Sequence, residues 1–359
     1  VMGELALVSV ELLGQTAAAP TRFVAKFSPE RSTTPSFLLR NIFSTEAHWY
    51  NDLFEEDQGL GRPAAFFIGA KLYHKRPWLR NPVFCMLVEQ MPTAFYSRVT
   101  GCSKMEHLSL VMSSLGDFHA RWWGARKEAP VEWINHPNDH FGVGKNLLVA
   151  AVKLGFPALE RVFGNVYAPV IKLRPLVRNR IKWLLDELFK PPLCICHGDV
   201  HLDNIFFDER FPTGLKLIDF GNIIFAQGGF DVAYFLSSSL EPHVRRRHEQ
   251  ELMEIYHSRL VAGGVVNFSL EQSWRSYKLN LFRVLINVMF VTYTEFSKQY
   301  QRRTGIFADA PTEAEKKLKE TYMTLNHRLS AAFEDAKFEE LLLTGREMKG
   351  LFSCCLFCA

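Results

Sequence analysis

The chain has 359 residues, 48% apolar and 22% charged, an ordinary globular composition that excludes disorder as the starting expectation and is long enough for a core divided over two domains. Its net charge of +4 suits a small anionic ligand but is too mild to argue for nucleic acid or a membrane surface. The seven cysteines are an odd number without metal-ligand spacing to nearby histidines, which makes a poor disulfide framework and points to a reduced, cytoplasmic compartment.

In chain order, Val1 to Leu13 carry Glu4 and Glu11 and lack a basic leader region, so they read as a strand and not as a signal peptide. The first residue is valine, which reads as a fragment or a processed chain. Leu5 to Leu12 and Arg22 to Phe27 are β-rich runs separated by Gly14 to Pro20, a hairpin pattern with Lys26 near the end of its second strand. Phe43, Ala47, Tyr50 and Phe54 recur at helical spacing, and Glu46 beside that stripe can be aimed at the sheet. Ala65 to Tyr73 and Val83 to Glu89 are two further predicted strands.

After Met91 and Pro92 the pattern becomes helical. Leu108, Val111, Met112, Leu115 and Trp122 make one apolar face, and helices are predicted over Val170 to Phe189 and Leu270 to Gln301. Residues 124 to 165 read as surface loop, with Trp133, His136, Asp139 and His140 at a candidate pocket border. Short β-like runs at Leu193 to Cys196, Ile205 to Phe207 and Leu215 to Ile218 surround polar loops, where chemistry tends to sit. The longest apolar stretch, Leu281 to Tyr293, contains Arg283 and falls short of the roughly 20 residues that span a bilayer, so no transmembrane helix is expected. The tail with Cys354, Cys355 and Cys358 reads as a frayed apolar end.

The informative stretch is His197-Gly198-Asp199-Val200-His201-Leu202-Asp203-Asn204, followed by Leu217-Ile218-Asp219-Phe220-Gly221. Phosphoryl transfer needs a carboxylate that orients the acceptor and oxygen ligands for magnesium on one rigid frame. Asp199, Asn204 and Asp219 supply that set, and the step of five from Asp199 to Asn204, with Asp-Phe-Gly after a β-run, matches a kinase catalytic loop.

On these residues the sequence resembles the aminoglycoside phosphotransferase and choline-kinase-like superfamily, nearest to its ecdysteroid-kinase-like branch. Val24-Ala25-Lys26-Phe27, Glu46-Ala47-His48-Trp49-Tyr50, Met86-Leu87-Val88-Glu89, Leu115-Gly116-Asp117-Phe118-His119-Ala120-Arg121-Trp122 and Phe230-Asp231-Val232-Ala233-Tyr234 also fit the branch in order. The resemblance implies an α+β, protein-kinase-like two-lobed fold, with a small β-rich N-lobe over 1–88, a hinge at 89–93 and a large helical C-lobe over 94–359. It implies ATP and Mg2+ as cofactors and a small-molecule alcohol as acceptor. Lys26, held by Glu46, would bridge the nucleotide phosphates, with Lys71 and Lys75 as fallback candidates. Main-chain groups from Glu89 to Met91 would bind adenine, Asp199 would be the catalytic base, and Asn204 and Asp219 would hold the metal. The family carries a strand and phosphate-covering loop before the position of Leu5, where only Met2-Gly3-Glu4 stand here, so the N-lobe is expected to be truncated at its start and an extended chain to bind ATP more tightly.

His197, His201 and Asp203 read as scaffolding of the loop, His119 as a satisfied core histidine, and Asp231 as a helix N-cap that also ties down the loop. A protein kinase and a catalytically silent scaffold are the alternatives. Gly198 stands where protein kinases commonly have arginine, nine residues separate Gly221 from Asp231, and no Ala-Pro-Glu follows, so a peptide-docking segment has no room. No residue of the lysine, base and metal set is missing, which disfavours the silent scaffold.

Overall fold

The computed structural model describes residues 4–9, 22–27, 36–53, 85–91, 96–124, 133–134, 143–209, 211, 213–296 and 312–344. The expected strand at 65–73, the fallback lysines 71 and 75, His136, Asp139, His140 and the terminal cysteines lie outside them.

Strand alternation decides which face of the first sheet is chemical. Within β2 (Arg22–Phe27) Phe23 and Ala25 are buried, so Lys26 takes the opposite face. β2 is the centre of an antiparallel sheet, with β1 (Glu4–Ser9) on one side and β3 (Cys85–Glu89) on the other, and Lys26 pairs with Leu5 and Met86 across it. The Gln90 N–H donates to the Arg22 carbonyl at 2.9 Å and extends the β2–β3 ladder by one rung. Helix α1 (Ser36–His48) runs into a π-helical turn, Trp49–Leu53, and buries Phe43 and Tyr50 of the expected stripe together with Leu53, while Phe54 lies outside the described residues.

The rest is helical around two short ribbons. Helix α2 (Met105–Arg121) buries the predicted face of Leu108, Val111, Met112 and Leu115. The stretch read as surface loop holds a helix, α3 (Val143–Phe163), that buries Val152, Phe156, Leu159 and Phe163. Gly155 and Pro157 punctuate its sequence, but the glycine serves packing, since a Cβ there would lie 2.3 Å from the Met289 Cβ. The single helix expected over 170–189 is two, α4 (Ala168–Ile171) and α5 (Arg174–Leu188), because Pro175 belongs in a first helical turn, where its missing N–H costs nothing. Helices α6 (Gly229–Ser239), α7 (Pro242–Ala262), α8 (Leu270–Val291) and α9 (Glu313–Asp335) follow. The last two open with complete capping boxes, Ser269 with Gln272 and Thr312 with Glu315. A π-helical turn, Thr292–Phe296, ends the part of the predicted 270–301 helix that is described.

The ribbons pair β4 (Cys194–Cys196) with β7 (Ile224–Ala226) and β5 (Ile205–Phe207) with β6 (Leu215–Leu217), both antiparallel. Arg328 of α9 fixes the segment before α2 to the start of α7. Its guanidinium, 1% exposed, donates to the Val99 carbonyl at 2.9 Å, the Ser238 carbonyl at 2.8 Å, the Arg98 carbonyl and the Glu241 carboxylate. Arg328→Ala leaves three carbonyls and a carboxylate without their donor, so we expect a loss of about 3–5 kcal/mol in urea unfolding, against under about 1 kcal/mol for a surface pair such as Lys145–Asp186.

Candidate active site

The registers of the ribbons converge the polar loops. In β5–β6, Ile205 faces Leu217, which sets Asn204 beside Ile218 and Asp219, and the Ile218 N–H donates to the Asn204 carbonyl at 3.0 Å. In β4–β7, Cys196 faces Ile224, which sets His197 to Asp199 beside residues 220–223. Gly198 has φ +82°, and a Cβ there would lie 2.1 Å from the Asn222 carbonyl oxygen, so backbone geometry requires glycine. Asp219 is left-handed at φ 66°, a conformation aspartate tolerates at a cost of about 1–2 kcal/mol.

Helix α1 is docked by the segment that follows Asp219. The Phe220 ring stacks on Trp49 at 4.7 Å and meets Tyr50 edge-on at 5.9 Å, and Ile42 packs so closely on Gly221 that a Cβ there would lie 2.7 Å from it. That docking delivers Glu46 to the sheet. Lys26 Nζ lies 2.7 Å from Glu46 Oε2 and 2.8 Å from Asp219 Oδ1, with the Glu46 side chain 3% exposed and that of Asp219 38%. Burial opposes the Lys26 charge, but the two carboxylates outweigh it and hold the ammonium above its ordinary range. Burial lifts Glu46 to about 7 even against the pull of Lys26.

Asp199 sits among scaffold groups. Its carboxylate accepts from Asn222 Nδ2 at 3.3 Å and lies 3.4 Å from His201 Nε2, with the Tyr234 hydroxyl, still protonated, nearby. Burial alone would raise this carboxyl, but His201 and Tyr234 hold it well below the usual carboxylate range, so it is ionised. His197 is fully buried, and burial pushes it down into the neutral form. Its Nε2 donates to the Ile218 carbonyl at 3.0 Å and its Nδ1 accepts the Asp199 N–H at 3.3 Å, a pattern that fits one neutral tautomer. Asn204 Nδ2 donates to the Asp199 carbonyl at 3.0 Å. Asp203 accepts from the Arg98 N–H at 2.9 Å and Nε at 2.6 Å.

Asp231 does not cap its helix. It lies in the first turn of α6, after the N-cap Gly228, and is fully buried. Its carboxylate reaches out of the helix to accept the N–H groups of His197 at 2.7 Å and Gly198 at 2.9 Å, with His119 Nε2 at 3.1 Å. The tie to the loop is as expected and the capping role is not, because the loop's donors are nearer need. His119 is satisfied by Asp231 and, through Nδ1, by Tyr256 at 2.9 Å. It also approaches Cys194 and Cys196, the three ligand-type atoms lying within 4.8 Å of one another, a meeting of α2 with β4 that cysteine spacing alone did not show.

Two cavities matter for placing a ligand. One of about 50 Å³ lies between α6, α8 and α9, lined by Arg98, Tyr234, Ser237, Asn287, Val288 and Leu329 among others, and it touches the Asp199 constellation through Tyr234. The other, about 140 Å³, is bordered by Glu187, Gln227, Gly228 and Tyr256 and by none of Lys26, Asp199, Asn204 or Asp219. Trp133, expected at a pocket border, stacks on His48 at 5.3 Å. Among the described residues no helix is long and apolar enough to cross a membrane.

A lysine paired with a helical glutamate on one side and a loop of Asp199, Asn204 and Asp219 on the other is the arrangement of kinase-like phosphotransferases, and solved structures agree on the fold. An ethanolamine kinase of Plasmodium vivax is 12% identical over 93% of this chain and 81% of its own, with a TM-score of 0.51. A choline kinase of Cryptosporidium parvum is 10% identical over 98% and 90%, also at 0.51. No curated protein matches the sequence. The model of the ecdysteroid kinase-like family matches residues 2–143 and 157–264, and the chain belongs to that family.

Asp231→Ala would leave two loop N–H groups buried without an acceptor. At about 1–3 kcal/mol for each unsatisfied group, we expect a loss of about 3–5 kcal/mol by denaturant unfolding. Hydrogen exchange at His197 and Gly198 should rise beyond the global change, and equal protection in the variant would remove Asp231 as the latch.

Proposed function

We propose that the chain is an ATP- and Mg2+-dependent phosphotransferase that phosphorylates the hydroxyl of a small molecule. The observation that carries the reading is the joint placement of ionised Asp199 beside a cavity through Tyr234 and of Lys26 between Glu46 and Asp219. In this reading residues 1–88 form the nucleotide lobe, 89–93 the hinge and 94–359 the catalytic and acceptor lobe.

Each residue has a distinct task. Lys26, charged and fixed by Glu46, binds nucleotide phosphates. Gln90 spends its N–H on Arg22, and alternation turns the main-chain groups of Glu89 away from β2, so Glu89 and, one step further, Met91 are the groups for adenine. The residues fit magnesium: Asn204 uses Nδ2 on the Asp199 carbonyl and keeps Oδ1, and Asp219 gives Oδ1 to Lys26 and keeps Oδ2, which are oxygen donors of the kind magnesium takes. Bound there, the ion would neutralise phosphate charge. Asp199 orients the acceptor hydroxyl and takes its proton as the hydroxyl oxygen bonds to the γ-phosphorus and the bond to the ADP oxygen breaks.

Asp199→Asn should lower turnover by about 10²- to 10⁴-fold while ATP still binds, measured by coupled assay and calorimetry with a panel of hydroxyl metabolites. Turnover near the parent value would remove Asp199 as the base. Asp219→Ala should abolish the magnesium dependence of nucleotide binding, and labelling of a peptide library that disappears in Asp199→Asn would replace the small-molecule reading with a protein kinase. The pH dependence has a definite sign: as pH falls through about 7, Glu46 takes up a proton, its bond to Lys26 loses charge assistance, and nucleotide affinity should weaken. In Glu46→Gln that step should be missing; an unchanged step would assign the titration to another group.

A further inference from the structure

His119, Cys194 and Cys196 bring three side chains of metal-ligand type together in the core, and the phosphotransferase reading uses neither sulfur. Cys194 and Cys196 stand two apart on β4, so their side chains take the same face, and α2 sets His119 against them. All three are fully buried, and their ligand-type atoms lie within 4.8 Å of one another. The two sulfurs are 3.9 Å apart. That is close to the edge of about 3.8 Å in a tetrahedron with metal–sulfur bonds of about 2.3 Å. The hydrogen bonds the sulfurs make are weak. Cys196 reaches the Ala226 and Gln227 carbonyls at 3.7 and 3.5 Å, and among the described residues the hydrogen-bond partner of Cys194 is Cys196.

His119 is already held in the posture of a ligand. Asp231 accepts from its Nε2 at 3.1 Å, the carboxylate–histidine arrangement that supports metal-bound imidazoles, and this leaves the Nδ1 lone pair toward the Tyr256 hydroxyl at 2.9 Å. Burial, and after it Cys194 and Cys196, hold that hydroxyl far above its ordinary range, so the Tyr256 oxygen stands among the same sulfurs. Gly228 keeps this side open: a Cβ there would lie 2.3 Å from the Tyr256 oxygen and 2.8 Å from His119 Nδ1. Gly228 and Tyr256 also border the cavity of about 140 Å³, which has no part in the phosphotransferase reading and gives the cluster a way in.

We propose that His119 Nδ1, Cys194 and Cys196 bind a thiophilic divalent cation of the zinc type, with the Tyr256 oxygen as fourth donor. Two sulfurs and an imidazole are donors that zinc takes and magnesium avoids, which sets this site apart from the oxygen donors Asn204 and Asp219. Binding exchanges two thiol protons, released to solvent, for two metal–sulfur bonds, and the Nδ1 lone pair passes from the Tyr256 hydroxyl to the ion. The two thiolates cancel the charge of a divalent ion, whereas a monovalent one would leave a negative charge uncompensated in the core. Cys196 directly precedes His197, so the ion would tie α2 to the strand that carries the loop. Its role is structural and independent of phosphoryl transfer.

The test uses the full chain, dialysed or refolded from urea with Zn2+ under a phosphine reductant and then passed over a chelating resin. We expect about one zinc per chain by elemental analysis and, with Co2+ instead, sulfur-to-cobalt charge-transfer absorption with the d–d bands of a tetrahedral site. Cys194→Ala combined with Cys196→Ala removes two small buried side chains and should abolish both signals. Cys354→Ser, Cys355→Ser and Cys358→Ser together remove the thiols of the tail and should change neither. Tyr256→Phe keeps the ring and should weaken zinc by about 10- to 100-fold in competition with a chromophoric chelator. A parent chain that retains no zinc and gives no cobalt–sulfur band overturns the proposal, as does zinc kept by the double alanine variant or an affinity unchanged in Tyr256→Phe. The measurement on the parent decides by itself where a variant folds poorly.

Discussion

A single buried carboxylate holds the candidate site together. β4 ends at Cys196, and the next two N–H groups, those of His197 and Gly198, have no strand partner. Asp231 accepts both. Burying a carboxylate is expensive, and here the cost is met from three directions: two main-chain donors, His119 and the N-terminal end of α6, whose first turn favours negative charge. His119 is in turn fixed by Tyr256 of α7, so α2, α6 and α7 meet at one carboxylate behind the loop of His197 to Asn204. The loop inherits its rigidity from the helical core, which is the condition for holding Asp199 and Asn204 at fixed separation from Asp219.

Phe220 transmits that rigidity to the sheet side. Its ring lies 4.6 Å from that of His197, tilted, and stacks on Trp49, so the loop and α1 share a ring. Because α1 carries Glu46, the position of Lys26 depends on the same contact. The Lys26 ion pairs are mostly enclosed, which makes them stronger than surface pairs and also makes them sensitive to any displacement of α1.

Much of this was legible in the order of residues. The strand Arg22–Phe27, the helix bearing Glu46 and the strands β4, β5 and β6 follow from period and spacing, while β7, the partner of β4, does not, and the chemical residues advertise themselves because His-Gly-Asp, Asn and Asp-Phe-Gly stand close together. What was not legible depends on contacts between distant segments. Asp231 reads as a cap because it opens a helix, and only the fold reveals that the loop's N–H groups are nearer claimants. Helix α3 is hidden in the sequence by Gly155 and Pro157, and the glycine is there for the close approach of Met289. Capping and pairing of this kind are tertiary choices, so no window of local sequence contains them.

The geometry at Gly198 separates this loop from that of protein kinases. Protein kinases commonly place an arginine there to pair with a phosphorylated loop. In this chain the backbone is left-handed at that position and approaches Asn222 so closely that no side chain fits, whatever its charge. The contact with Asn222 exists because the chain turns immediately after Gly221, enters β7 at Ile224 to pair with β4, and reaches α6 at Gly229. Every residue between Gly221 and Asp231 is thereby occupied by a turn, a ribbon or a helix start. The absent arginine and the short connection are one constraint: a chain that spends this segment on closing the β4–β7 ribbon has no length left in it for the long segment on which protein kinases dock a peptide.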